Sequence, residues 1–132
     1  MNEHLEKQLH HCIEYATDLL VETGEAYPFG AFLDTVNQVH PLEMEIDKKN
    51  VPTLGKVVST LEKYCKTEMA SNNITGYALC YEVGYKLSEE EEEQTAIAIE
   101  MHYKEENQSY TFYLPFTKND DEVIVNEVFG VK

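Results

Sequence analysis

Four side chains on three late segments of this 132-residue chain are of types that move protons: Glu82, Glu100, His102 and Tyr113. A carboxylate, an imidazole and a phenol brought together can share general acid and base work, because their ordinary pKa values lie on both sides of neutrality. The segments that carry them alternate in polarity. Tyr77, Leu79, Tyr81, Val83 and Tyr85 are set against Ala78, Cys80, Glu82, Gly84 and Lys86, and Ile97, Ile99, Met101 and Tyr103 against Ala96, Ala98, Glu100 and His102. If the segments are neighbouring strands, the alternation predicts that Glu82, Glu100, His102 and Tyr113 share one face amid Ala78, Cys80, Ala96 and Ala98, as a ligand-binding set. Small residues with scattered polar ones also describe a sheet face on which a helix packs closely, and that reading competes with the first.

A second constellation lies in HLEKQLHHCIE. His4 and His11 are seven apart and His10 stands four before Glu14, so a metal site of histidines and a carboxylate can be drawn. Neither HExxH nor a matching motif on a second helix accompanies it, and the spacing reads instead as a solvated helical face. No metal and no other cofactor is expected. None of the four serines falls in GxSxG, the adjacent His11 and Cys12 diverge on a helix, and no GxGxxG or P-loop occurs. The chain is expected not to be an enzyme.

The elements that would position these residues are legible as periodicities. Leu5, Leu9, Cys12, Ile13, Ala16, Leu19 and Leu20 recur at spacings of three and four, with Asn2 as N-cap and Gly24 as the stop of a first helix. Tyr27-Pro28-Phe29-Gly30 opens a strand to Leu33, Asp34 to Asn37 supply a turn, and QVHPLEMEI, Gln38 to Ile46, returns as an edge strand because Pro41 cannot donate to a ladder. In that first strand Phe29 and Phe32 are expected to fill core on either side, and Gly30 to let a helix approach. After a polar turn at 47–50, Thr53 caps a second helix striped by Leu54, Val57, Val58, Leu61, Tyr64, Cys65 and Met69, which Asn72-Asn73 close. Three strands follow, Tyr77 to Leu87, Thr95 to Lys104 and Ser109 to Phe116; a turn at 118–121 then leads to VIVNEVFGV, Val123 to Val131, read as a terminal strand.

Charge is the strongest compositional signal. Twenty-five acidic residues against ten basic give a net charge of −15, and all ten basic residues are lysines. Nucleic acid and anionic membrane are excluded as partners, since both require clustered positive charge. The planar arginine clamp for phosphates is missing from the whole chain. Ser88 to Gln94, SEEEEEQ, joins two strands as an acidic hairpin loop, solvated by self-repulsion and suited to attract a basic partner. Cys12, Cys65 and Cys80, odd in number and on apolar phases, read as buried thiols. With 42% hydrophobic residues, no apolar run near the ~20 of a membrane helix and no basic, apolar leader, the expectation is one cytoplasmic domain over residues 1–132.

The order helix, two strands, helix, three strands resembles profilin-like and roadblock-like scaffolds, which implies an α+β fold with five or six mainly antiparallel strands and two helices. Tyr27-Pro28-Phe29-Gly30, the run Ala96 to Glu100 and the strand end Leu114-Pro115-Phe116 also resemble an uncharacterised family of small bacterial proteins, which implies no activity. Nine tyrosines are concentrated late in the chain, and such rings suit a surface half dry and half wet. The expected role is a protein-interaction module that self-associates or binds a basic partner, with Tyr77, Tyr81, Tyr85 and Glu89, Glu90, Glu91, Glu92 and Glu93 as the contact set. The alternatives are a small-molecule sensor with a pocket between sheet and helices, and a metal-dependent or acid/base enzyme using Glu100 and His102.

Overall fold

The apolar stripe beginning at Leu5 winds into helix α1, Glu3–Thr23. Asn2 caps it, its side chain accepting from the His4 amide at 2.7 Å, and Gly24 ends it at φ 75°, a left-handed conformation that glycine adopts without cost. The rest of the chain follows as β1 (Phe29–Leu33), β2 (Val39–Leu42), α2 (Leu54–Ala70), β3 (Gly76–Tyr85), β4 (Gln94–Tyr103), β5 (Tyr110–Asn119), β6 (Glu122–Val125) and β7 (Phe129–Val131). The computed structural model describes residues 2–45, 49–86, 88–90, 92–106, 109–119 and 122–131. Ile46, Leu87, Glu91, Asp120 and Asp121 lie outside the described residues.

Every pairing is antiparallel, in the order β2-β1-β3-β4-β5-β6, with β7 also on β5. The fold is therefore α+β with two helices on an open antiparallel sheet. Among the described residues it has seven strands where five or six were expected, because the terminal strand is broken in two. Phe116 pairs with Val125, whereas Tyr113 pairs with Phe129. One extra residue has entered the outer strand between these pairs, a β-bulge, with the Asn126 amide bonded to the Pro115 carbonyl at 2.8 Å. Val123, Val125 and Val128 accordingly pack on the core under α1, and Phe129 turns to the opposite face.

The two sheet faces are covered unequally. α1 lies across one, burying Leu5, Cys12, Ala16 and Leu20 against Phe29, Ala31, Leu33, Ala78, Cys80, Ile97, Ile99, Met101, Leu114 and Phe116. α2 lies on the other but over one side only. Val57, Leu61 and Cys65 pack with Tyr77, Leu79, Phe32, Leu42 and Met44, which belong to β1, β2, β3 and the chain just after β2. Among the described residues this second core takes nothing from β4, β5 or β7.

YPFG is explained by packing. Phe29 fills the α1 core and Phe32 the α2 core, from opposite sides of β1. Gly30 is required by the sheet and not by a helix, since a Cβ there would stand 2.7 Å from the carbonyl oxygen of Ala78 on β3. The return strand β2 is shorter than the apolar pattern to Ile46 suggested, ending at Leu42, although Met44 still packs under α2. Its turn is held by Asp34, whose Oδ1 accepts from the Val36 and Gln38 amides, each at 2.9 Å, and whose Oδ2 meets His40 Nε2 at 2.8 Å. The three cysteines are free and buried; burial pushes the Cys65 thiol up to about 12, so it stays protonated and inert.

Candidate functional site

The register decides which side chains meet. Tyr77 stands opposite His102, Leu79 opposite Glu100 and Tyr81 opposite Ala98, while Ala98 in turn faces Tyr113. Glu100, His102 and Tyr113 thus share a face, as expected. Glu82 does not join them. It pairs with Ile97 and, like Ala78 and Cys80, points to the α1 side. The residues beside the polar set are instead Tyr77, Leu79, Tyr81 and Val83. The physical reason is complementary bulk: small Ala78 and Cys80 lie beside Ile97, Ile99 and Met101 on one face, and small Ala96 and Ala98 beside Tyr81, Val83 and Tyr113 on the other.

Where the α2 core ends, two zones of this face are distinct. The first is polar, a cleft of about 250 Å³ lined by Glu62 and Lys66 of α2, Glu100 and His102 of β4, Ser109, and Thr111 of β5. Tyr81 donates its hydroxyl hydrogen to Glu100 Oε1 at 2.7 Å, and Lys66 Nζ is paired with Glu62 Oε1 at 2.8 Å. His102 stacks on Tyr77, ring centroids 4.7 Å apart, with its Nδ1 2.9 Å from Ser109 Oγ. Burial holds the Tyr81 phenol well above its ordinary range, reinforced by the Glu100 carboxylate, so this ring donates a hydrogen bond and cannot serve as a base. Burial likewise lowers the His102 pKa below 6.5, against the opposing pull of Glu100.

Ser109 and His102 have the types of a nucleophile and its base. Glu100, the carboxylate next along the strand face, is bonded to Tyr81, and Ser109 is exposed. Among the described residues the cleft therefore contains satisfied polar pairs and no assembled triad. A pH dependence follows from the His102 shift. As pH falls below about 6.5 the unfolded chain takes up a proton that the folded one resists, so stability declines until the folded pKa is passed and then levels. His102→Gln is expected to flatten that part of the decline. Denaturation midpoints of the two proteins compared at about pH 7 and about pH 5 check it; an unchanged slope would move the cause elsewhere.

The second zone is aromatic. Tyr113 leaves the polar cleft and joins Tyr85 and Phe129, with centroids at 6.3 Å (Tyr85 to Tyr113), 5.9 Å (Tyr85 to Phe129) and 5.5 Å (Tyr113 to Phe129). All three rings are half-buried, and Ile124, on the same face, is 44% exposed. Large side chains on both flanking strands leave Ala96 and Ala98 buried although no α2 residue packs there. At the end of this zone the β3–β4 hairpin carries Glu89, Glu90, Glu92 and Glu93, all exposed. The sequence missed Phe129, and it placed Tyr77 in a contact set that the structure does not support: Tyr77 is buried beneath α2 at 2% exposure. Tyr85 is half-buried on the bare side, and Tyr81, also half-buried, lies at its border with α2.

The histidine helix does not form the solvated face expected of it. His4 stacks on Tyr103 and His11 on Tyr15, with His4 Nδ1 and His11 Nε2 buried, and only His10 is exposed. Among the described residues no group of three or more His, Cys, Asp or Glu is placed to hold a metal ion, and no helix is long and apolar enough to cross a membrane. Comparison with protein-family models, with curated proteins and with solved structures finds no match to this chain.

Proposed function

We propose that the chain is a non-enzymatic binding module that receives a basic protein surface on the half of its sheet left bare by α2. The observation that carries this reading is the cluster of Tyr85, Tyr113 and Phe129, half-exposed on a helix-free face and bordered by the glutamate hairpin. Aromatic rings supply large contact area at small entropic cost and attract lysine or arginine over their faces. The hairpin acts earlier, in the approach. With a net charge of −15 and four exposed glutamates on the hairpin that follows Tyr85, the field draws in a cationic partner and raises the association rate.

The test is a pull-down with the chain as bait at low and high salt, followed by kinetics with the captured protein. Changing Glu89, Glu90, Glu92 and Glu93 together to Gln is expected to slow association about tenfold at low salt and to change it little at high salt. A partner indifferent to salt, or an acidic one, would remove the reading.

A further inference from the structure

β3 is paired on both sides only along its first half. β1 accompanies it from Gly76 to Cys80, while β4 continues to Tyr85. Among the described residues nothing pairs with the other edge of Tyr81–Tyr85. Pro28, the residue that would extend β1 opposite Tyr81, has no N–H to give to a ladder. Alternate residues of this stretch therefore direct backbone N–H and C=O groups at an unfilled edge. The other edges of the sheet are blunted: β2 is four residues with Pro41 within it, and β6 and β7 are short pieces split by a bulge. The β3 stretch carries no proline. Beside it runs a groove of about 330 Å³, lined by Ala26, Pro28, Leu54, Gly55, Val58, Tyr81 and Glu82. Leu54 is 56% exposed there and Val51, just before the helix, 63%.

We infer that the edge Glu82–Tyr85 accepts an extended peptide as an added strand, with an apolar side chain beside the groove under α2 and a basic one against Glu82. The alternation fixes the pattern. Pro28 stands opposite Tyr81, so the added strand runs opposite Glu82–Tyr85; its residue opposite Val83 points to the α2 side, beside the apolar groove, and the residue opposite Glu82 points to the other, where a carboxylate is exposed. A second copy of the chain is the wrong occupant, because edge-to-edge pairing would bring two acidic hairpins and two chains of −15 together. Tyr85 borders both this edge and the aromatic zone, but the aromatic zone needs no free edge and the added strand needs neither Tyr113 nor Phe129.

The probe is an acetylated, amidated VKVKV peptide, with VVVKK as a control of equal charge. Added to the protein, the alternating peptide is expected to slow amide hydrogen exchange at alternate positions in Glu82–Tyr85. Leu54→Glu, at a side chain already in solvent, should weaken its binding ~10-fold or more, and Tyr113→Ala should leave it unchanged. Equal binding of VVVKK, protection elsewhere, or protection of these amides by self-association without peptide would each overturn it. Loss of binding in Tyr113→Ala but not in Leu54→Glu would also overturn it, placing the peptide on the aromatic zone.

Discussion

Replacing Gln8 by methionine stabilises the fold by about 2 kcal/mol, the usual scale for a buried amide left without a partner. Gln8 is fully buried on α1, and among the described residues neither its Oε1 nor its Nε2 has a hydrogen-bond partner. It lies three after Leu5 and four before Cys12, so the amide is held inside the apolar stripe and stripped of water with nothing in return. Methionine matches its length and helix preference and carries no group that must be solvated. In a denaturant titration the midpoint should rise with an unchanged slope. A fall would mean that the amide is bonded in solution, with the buried nitrogens of His4 and His11, one turn to either side, as the nearest candidates.

The other large effect concerns binding. Tyr113→Ala combined with Phe129→Ala is expected to weaken the basic partner by ~30-fold or more, as loss of an aromatic anchor at the centre of an interface does. The fold should survive, because both rings lie on the face that α2 leaves bare and outside the two apolar cores. Calorimetric titration with the captured partner measures the first, and the thermal melt the second. Tyr64→Ala is the control: Tyr64 is 47% exposed on α2, away from both zones, and its loss should leave affinity unchanged.

The elements were legible where periodicity is long and capped. Both helices begin at the expected N-caps, Asn2 and Thr53, and β1 spans the alternating residues after Pro28. Alternation also sorted β3 and β4 each into two correct faces. It could not say which face of β3 meets which face of β4, because that depends on register across a long glutamate-rich connection. Grouping Ala78 and Cys80 with Ala96 and Ala98 put Glu82 on the wrong side. A signal was nevertheless present, since two strands of small residues side by side would leave one face hollow and crowd the other. Phe129 was hidden for another reason. VIVNEVFGV read without a break keeps Phe129 in phase with Val123 and Val125, and a single-residue bulge reverses it. Gln8 carried no warning, because a polar residue beside an apolar stripe ordinarily lies in solvent.

Photocrosslinking in the cell shows whether a partner sits on the bare half of the sheet. A benzophenone side chain at Tyr113 should give one discrete adduct with a basic protein, suppressed when the four hairpin glutamates are changed to glutamine, and the same group at Tyr64 should give none. No adduct from position 113, or the same adduct from both positions, would contradict it.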